Sequence, residues 1–306
     1  MTGLSAIVGS FLSRKIGYAE LKEAYHGIAQ AAKFFVLGGN DAEMEVIKQL
    51  LSQAGQSFVQ PRKEWGDHSY NPDDLGLEVA PAHTGRQSQG GPSYDVHVPA
   101  AVRGYSTVVF VECSAVSDWP EGTKTILIDH HGELAYRPAS IRQVLDVLEP
   151  TGFQISSETR RWIELIAAND AGYIPAMITL GATPEEIARI RALDRSAQGI
   201  TPGHEAEAER AIAAKEVSGR LTIVRMAHSK TATVADRLFG GYDQLLILSA
   251  DREVNFYGDG ALCADLKAKF EGWNGGSGLG KIGANAYWGG YPNQEDVLTF
   301  IQQHLN

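Results

Sequence analysis

The apolar positions of this chain change their period along its length, and each change marks an element. From about residue 18 to 32 they recur at helical spacing. AKFFVLGGND then runs apolar until Gly38-Gly39, and AEMEVIKQLLSQAG carries Met44, Ile47, Leu50 and Leu51 at intervals that fit one helix face. Strand, tight turn and helix in that order open a βαβ unit. The stretch from about 60 to 100 is rich in Pro, Gly, Ser and Asp and reads as a long loop or small insertion over the sheet. Loops of that length in compact domains are usually functional. YSTVVFVEC and TKTILIDHHGE are apolar and β-branched on both faces, as central strands of a parallel sheet covered by helices must be. SIRQVLDVLEPTG and SETRRWIELIAANDAGYIPAM supply covering helices.

Residues 181 to 218 are helical and charge-rich, which predicts a connector whose charges form a solvated face. Beyond it come the strand LTIVRM, a helix at TATVADRLF, the strands DQLLILSA and EVNFYG, a helix at CADLKAKF, a glycine-rich loop and a final helix. The expected fold is α/β. Residues 1–180 form a domain with a parallel sheet covered by helices on both faces, 181–218 the helical connector, and 219–306 a second, smaller α/β domain. No internal repeat or low-complexity tract is visible.

Composition narrows the partners. Hydrophobic residues make up 43% and charged residues 21%, a globular balance. The net charge of -10 argues against wrapping long duplex nucleic acid, whose binding draws on many Lys and Arg, while leaving room for a local basic pocket. Cys113 and Cys263 are far apart and outside any CxxC pattern, so buried free thiols are expected rather than a disulfide or thiolate metal site. The opening MTGLSAIVGSFLSRKIGYAEL is too short in its apolar part to span a bilayer and lacks the basic start of a signal peptide. It reads as an amphipathic helix of a cytoplasmic protein with no membrane partner.

Asp129-His130-His131 follows the apolar ILI and therefore stands at the carboxyl end of a buried strand, where open α/β sheets place ligand sites. Imidazole beside carboxylate suits manganese, iron or zinc, although an exposed loop with two ordinary histidines has the same sequence. Acidic residues recur at corresponding places: Asp41 and Glu43 after FFVLGGN, Glu112 after VVFV, and Asp170 in IAANDAGY. Singly, Asp41 reads as a helix cap and Asp170 as a helix end. Together they crowd one sheet edge, where a cation relieves their repulsion.

This order of motifs resembles the DHH phosphoesterase family over about residues 34 to 290, with IDHHGE its most specific element and AANDAGY the next. The resemblance implies a two-domain hydrolase holding one or two Mn²⁺ or Mg²⁺ ions in the N-terminal domain and gripping the substrate phosphate from the C-terminal one. By position, Asp41 and Glu43 match the first acidic pair, Glu112 the second-motif aspartate, His130 the ligand of Asp-His-His, and Asp170 the fourth-motif aspartate. Asp129 is then a ligand or orients His131, and His131 faces the phosphate. The sequence departs from the family where Leu37 replaces a first-motif histidine and where glutamates stand at positions 43 and 112. His68, in the long loop, is a candidate for the missing nitrogen.

The stretch WNGGSGLGKIGANAYWGG is the second candidate site, since glycine backbones at Gly275, Gly276, Gly278 and Gly280 approach an anion closely and Lys281 adds charge. Leu279 lies where the family has a histidine, and Ile282 after Lys281 excludes an ordinary phosphate loop. Arg252 offers a guanidinium for a phosphate or carboxylate, or a surface ion pair. Ser229-Lys230-Thr231 opens a helix as donors or as a cap. The implied partner is a small phosphorylated substrate such as a short oligonucleotide, a nucleotide or a cyclic dinucleotide, with a homodimer open to it. The alternative is a catalytically degenerate relative that binds a nucleotide or a protein; inorganic pyrophosphatase needs a richer basic set than the second domain supplies.

Overall fold

A computed structural model describes residues 17–27, 33–60, 69–70, 95–97, 107–115 and 124–305. The amphipathic helix expected at the N-terminus, most of the 60–100 loop and His68 lie outside the described residues. The chain divides into two units, Met1–Ile190 and Arg191–Asn306.

In the first unit α1 (Tyr18–Gly27), β1 (Lys33–Leu37), α2 (Ala42–Gln53), β2 (Ser57–Gln60), β3 (Ser69–Tyr70), β4 (Asp95–His97), β5 (Thr107–Val111), β6 (Ser114–Ala115), β7 (Lys124–Ile128), α3 (Ser140–Leu148) and α4 (Ser157–Thr179) follow in order. The main sheet runs β4-β2-β1-β5-β7, with β2, β1, β5 and β7 parallel and β4 antiparallel at the edge. Every residue of β1 and β5 is buried, so both faces of the sheet centre are covered. One face gathers Phe34, Val36, Val59, Val108 and Phe110, the alternate residues of their strands. As its spacing predicts, α2 buries Met44, Ile47, Leu50 and Leu51, and it packs against α3 and α4.

The second unit takes the end of α5 (Pro184–Ala197), then α6 (Pro202–Ala213), β8 (Glu216–Ser218), β9 (Leu221–Met226), α7 (Ala232–Leu238), β10 (Gln244–Ser249), β11 (Val254–Asp259), α8 (Gly260–Phe270), β12 (Trp273–Gly275), β13 (Asn285–Gly290) and α9 (Gln294–Leu305). Its mixed sheet runs β12-β13-β11-β10-β9-β8, with only β9 and β10 parallel. Phe256, Leu262, Leu266, Trp288, Val297 and Ile301 share one core, and Ala208, Ala211, Val224, Val234, Leu245 and Ile247 another.

The helices expected as a connector divide between the units. Ala208 and Ala211 let α6 lie close on β9 and join the second unit's core. The charges of α5 divide: Glu185 and Arg189 are exposed as expected, whereas Arg191 and Asp194 are buried, because Arg191 pairs with Asp194 (2.8 Å) and Asp236 (3.1 Å). Arg195 joins them to Glu205 at 2.8 Å. A buried charge persists where it is paired. β12 lies where the sequence reads as loop, because its three residues pair with β13.

Candidate metal centre

The parallel register brings the carboxyl ends of β1, β5 and β7 to one edge. Gly38, just past β1, donates to Val111 O at 2.9 Å, and Glu112, just past β5, donates to Ile128 O at 2.8 Å. A Cβ at position 38 would lie 2.5 Å from Glu112 O, so only glycine admits this approach. Glu112 itself holds a left-handed backbone, φ 54°. For a residue with a Cβ this conformation is strained, and such strain gathers at working sites.

Asp129, His130 and His131 follow β7 directly. Buried Gln143 on α3 donates to Asp129 O (3.1 Å) and Pro138 O (2.8 Å), and its own oxygen accepts from Tyr25 at 3.3 Å. It fixes the backbone from which both histidines project. Asp170 comes from α4, which departs from helical geometry at Gly172 and Tyr173. Pro175 accounts for the break, since it has no N–H for the carbonyl four residues back and its ring crowds that turn.

Glu112, His130, His131 and Asp170 each bring one ligand atom within 4.8 Å of all the others. His130 Nε2 lies 2.5 Å from Asp170 Oδ2 and 3.4 Å from Glu112 Oε1. Yet His130 Nε2, Asp170 Oδ2, Glu112 Oε1 and Glu43 Oε2 are buried without a well-formed hydrogen bond. Buried polar atoms are ordinarily paired, so four orphans aimed together fit a cation-binding site. Imidazole with carboxylates suits manganese, iron or zinc.

The electrostatics agree. Burial drives the Glu43 carboxyl well above its ordinary range, and Asp170 and Glu112 add to the rise. Glu43 Oε1 accepts from Ile141 N at 3.0 Å, which ties α2 to α3. At Glu112 burial works upward, but the close approach of His130 and Glu43 prevails and holds it below the usual carboxylate range. Burial alone would lower His130, but Asp170 and Glu112 outweigh it and push the imidazole up to about 10. A cation replacing that proton would meet the same carboxylates.

Asp129 does not join the cluster of ligand atoms. Its Oδ1 accepts from both the backbone N–H and Nδ1 of His131, each at 2.9 Å. This bond raises His131 and, against burial, lowers Asp129. His131 is 60% exposed, with Nδ1 committed to Asp129. Asp41 also stays outside the cluster; it caps α2, accepting from Met44 N at 2.8 Å. Gln143 escaped sequence reading, although its signal was present: it lies four residues before buried Val147 on the apolar side of α3.

In the second unit the predicted phosphate loop is largely engaged with itself. Leu279, Gly280 and Lys281 donate their N–H groups to Gly276, Gly260 and Gly278, and Lys281 Nζ reaches Ser277 O at 3.1 Å. Gly275 belongs to β12. Arg252 lies exposed in the β10–β11 turn with φ 76°. In Ser229-Lys230-Thr231, the Thr231 hydroxyl bonds Tyr257 OH at 3.0 Å.

No profile of a known protein family and no curated protein sequence matches the chain. Among solved structures it is similar to a DHH-domain member of an s1p family of ribosomal proteins, at 11% identity and a TM-score of 0.45, covering 95% of this chain and 93% of that one. It is similar to RecJ from Thermus thermophilus in complex with Mn²⁺, at 10% identity and a TM-score of 0.44, covering 92% of this chain but 53% of RecJ. A pGpG-specific phosphodiesterase from Vibrio cholerae matches at 11% identity and a TM-score of 0.34, covering 89% and 97%. These likenesses are loose.

Proposed function

We propose that the chain is a metal-dependent phosphoesterase acting on a small phosphorylated substrate: a short oligonucleotide, a nucleotide or a cyclic dinucleotide. The observation that carries this reading is the convergence of Glu112, His130, His131 and Asp170, with the Glu112, His130 and Asp170 ligand atoms buried and lacking a well-formed hydrogen bond. Glu112, His130 and Asp170, with Glu43 beside them, would hold Mn²⁺ or Mg²⁺. Such an ion supplies an activated water and offsets charge on the phosphoryl oxygens. The protein's own part is positional. Gln143 and Gly38 fix the strand ends, and Asp129 holds His131 through Nδ1, which leaves Nε2 to meet the phosphate or its leaving group.

The test is hydrolysis of a generic phosphodiester with Mn²⁺. Asp129→Asn removes the group that orients His131 and is expected to lower the rate roughly 10- to 100-fold, the usual effect of an outer-shell change. Wild type and variant cleaving at equal rates would remove the Asp129 carboxylate from the reaction.

One observation favours a second reading, a relative that binds but does not cleave. Leu37 stands where the family has a histidine, and Asp41 spends Oδ1 on capping α2. Metal analysis of the purified protein separates the two, since a binding module need hold no stoichiometric transition metal.

A further inference from the structure

One face of the second sheet carries α6 over β9, and the strand register shows what occupies the β11, β13 and β12 end of that face. Asn255 pairs with Gly289 and Gly289 with Trp273; Tyr257 pairs with Tyr287 and Tyr287 with Gly275. Directly paired residues share a face, as do residues two apart, so all six project together, with Glu253 and Tyr291 at the margin. A Cβ at Gly289 would come within 2.5 Å of the Trp273 indole, and one at Gly275 within 2.5 Å of Tyr287 OH. Each ring therefore lies over the bare backbone of a glycine, and Tyr291 meets the Trp273 ring edge-on at 5.7 Å between centroids. Trp273 is 41% exposed, Tyr287 42% and Tyr291 67%.

At the margin of these rings Glu253 Oε1 accepts from Asn255 Nδ2 at 2.8 Å, and Oε2 accepts from Tyr291 OH at 2.9 Å. The carboxylate is held in place from both sides, and each oxygen keeps a further acceptor site. An aromatic platform edged by an oriented carboxylate complements a flat ring that carries two adjacent N–H donors. Guanine has that edge, at N1–H and N2–H; adenine does not. Arg252, exposed in the turn just before Glu253, is a cation that a nucleotide's phosphate could meet.

We infer that the exposed faces of Trp273 and Tyr287, walled by Tyr291 and with Glu253 reading the base edge, bind a guanine nucleotide. The choice of a nucleobase over other donor pairs rests on the phosphoesterase reading above. The residues themselves belong to the second unit alone.

The full chain in EDTA is titrated by calorimetry with GMP, AMP and L-arginine, so that binding is read without metal or turnover. GMP is expected to bind more tightly than AMP by roughly 5- to 150-fold, the range for one bidentate contact to a base. Glu253→Gln should abolish that preference. Trp273→Ala should weaken GMP by a similar factor and Trp273→Phe restore part of it, since stacking needs only a π face. Unchanged circular dichroism shows that the variants fold. Equal affinity for GMP and AMP, undetectable binding of both, tighter binding of L-arginine, or a preference that survives Glu253→Gln each overturns the inference. A GMP preference in a protein that cleaves no phosphodiester with Mn²⁺ keeps this inference and removes the phosphoesterase reading; cleavage without the preference does the reverse.

Discussion

Glu112 is where backbone and chemistry meet. Its left-handed conformation turns a carboxylate toward His130 just as β5 ends, and the contact with Gly38 fixes where that turn occurs. Gly38→Ala sets a methyl against Glu112 O, a backbone atom that yields only if the strand ends part. The expected cost is about 1–3 kcal/mol in urea unfolding, as for overpacking elsewhere, together with weaker Mn²⁺ binding by calorimetry. Full Mn²⁺ affinity in a destabilised variant would show that Glu112 does not depend on this approach. Glu112, His130 and Asp170 were legible in the sequence because strand ends and acidic residues near them are local patterns. Asp129 and Asp41 each read two ways, and the fold spends Asp129 on His131 and an oxygen of Asp41 on a helix N–H. A short-range hydrogen bond is decided by geometry that residue types do not encode. Gln143 differs: its place on the apolar side of α3 is legible, but its partners lie on a loop and a helix elsewhere in the chain.

Among the elements, strands and helices with strong apolar periods emerged where the pattern put them: β1, α2, β5, β7 and β9 to β11. α5 and α6 differ in part, because charge density implies exposure and only some of their charges have it. Other charges of α5, α6 and α7 face one another: Arg195 meets Glu205 and Asp236, and Arg237 meets Glu205. Pairing decides burial, and pairing between helices leaves no mark in a single helix's sequence. At Glu205 burial pushes upward, but hydrogen bonds from Arg195 and Arg237 prevail and hold the carboxyl below its ordinary 4.5. A group lowered on folding stabilises above its unfolded value, and that contribution disappears as pH falls through the folded one. The thermal midpoint of the second unit should therefore drop as pH falls below about 4.5, and Glu205→Gln should flatten that part of the profile. Parallel profiles for variant and wild type would show that the α5–α6–α7 pairs do not carry acid sensitivity.

At the scale of the whole chain, the candidate centre draws on residues from Glu43 to Asp170, and its ligands meet only when α2, β5, β7 and α4 are all in place. The unfolded chain has no comparable site, so a cation that binds there stabilises the folded state by mass action. Without a cation the buried carboxylates oppose folding, and the rise at Glu43 is one sign of it. Free Mn²⁺ at a hundred times its dissociation constant should add about 2.7 kcal/mol. For a unit of this size that corresponds to a rise of roughly 5 to 10 °C in its thermal midpoint. His130→Ala removes the nitrogen at the cluster's centre and should abolish the rise, whereas Glu205→Gln, within the second unit, should keep it. Scanning calorimetry with and without Mn²⁺ makes the comparison. An equal rise in His130→Ala would place the ion elsewhere on a surface of net charge -10, and the proposed centre would lose its metal.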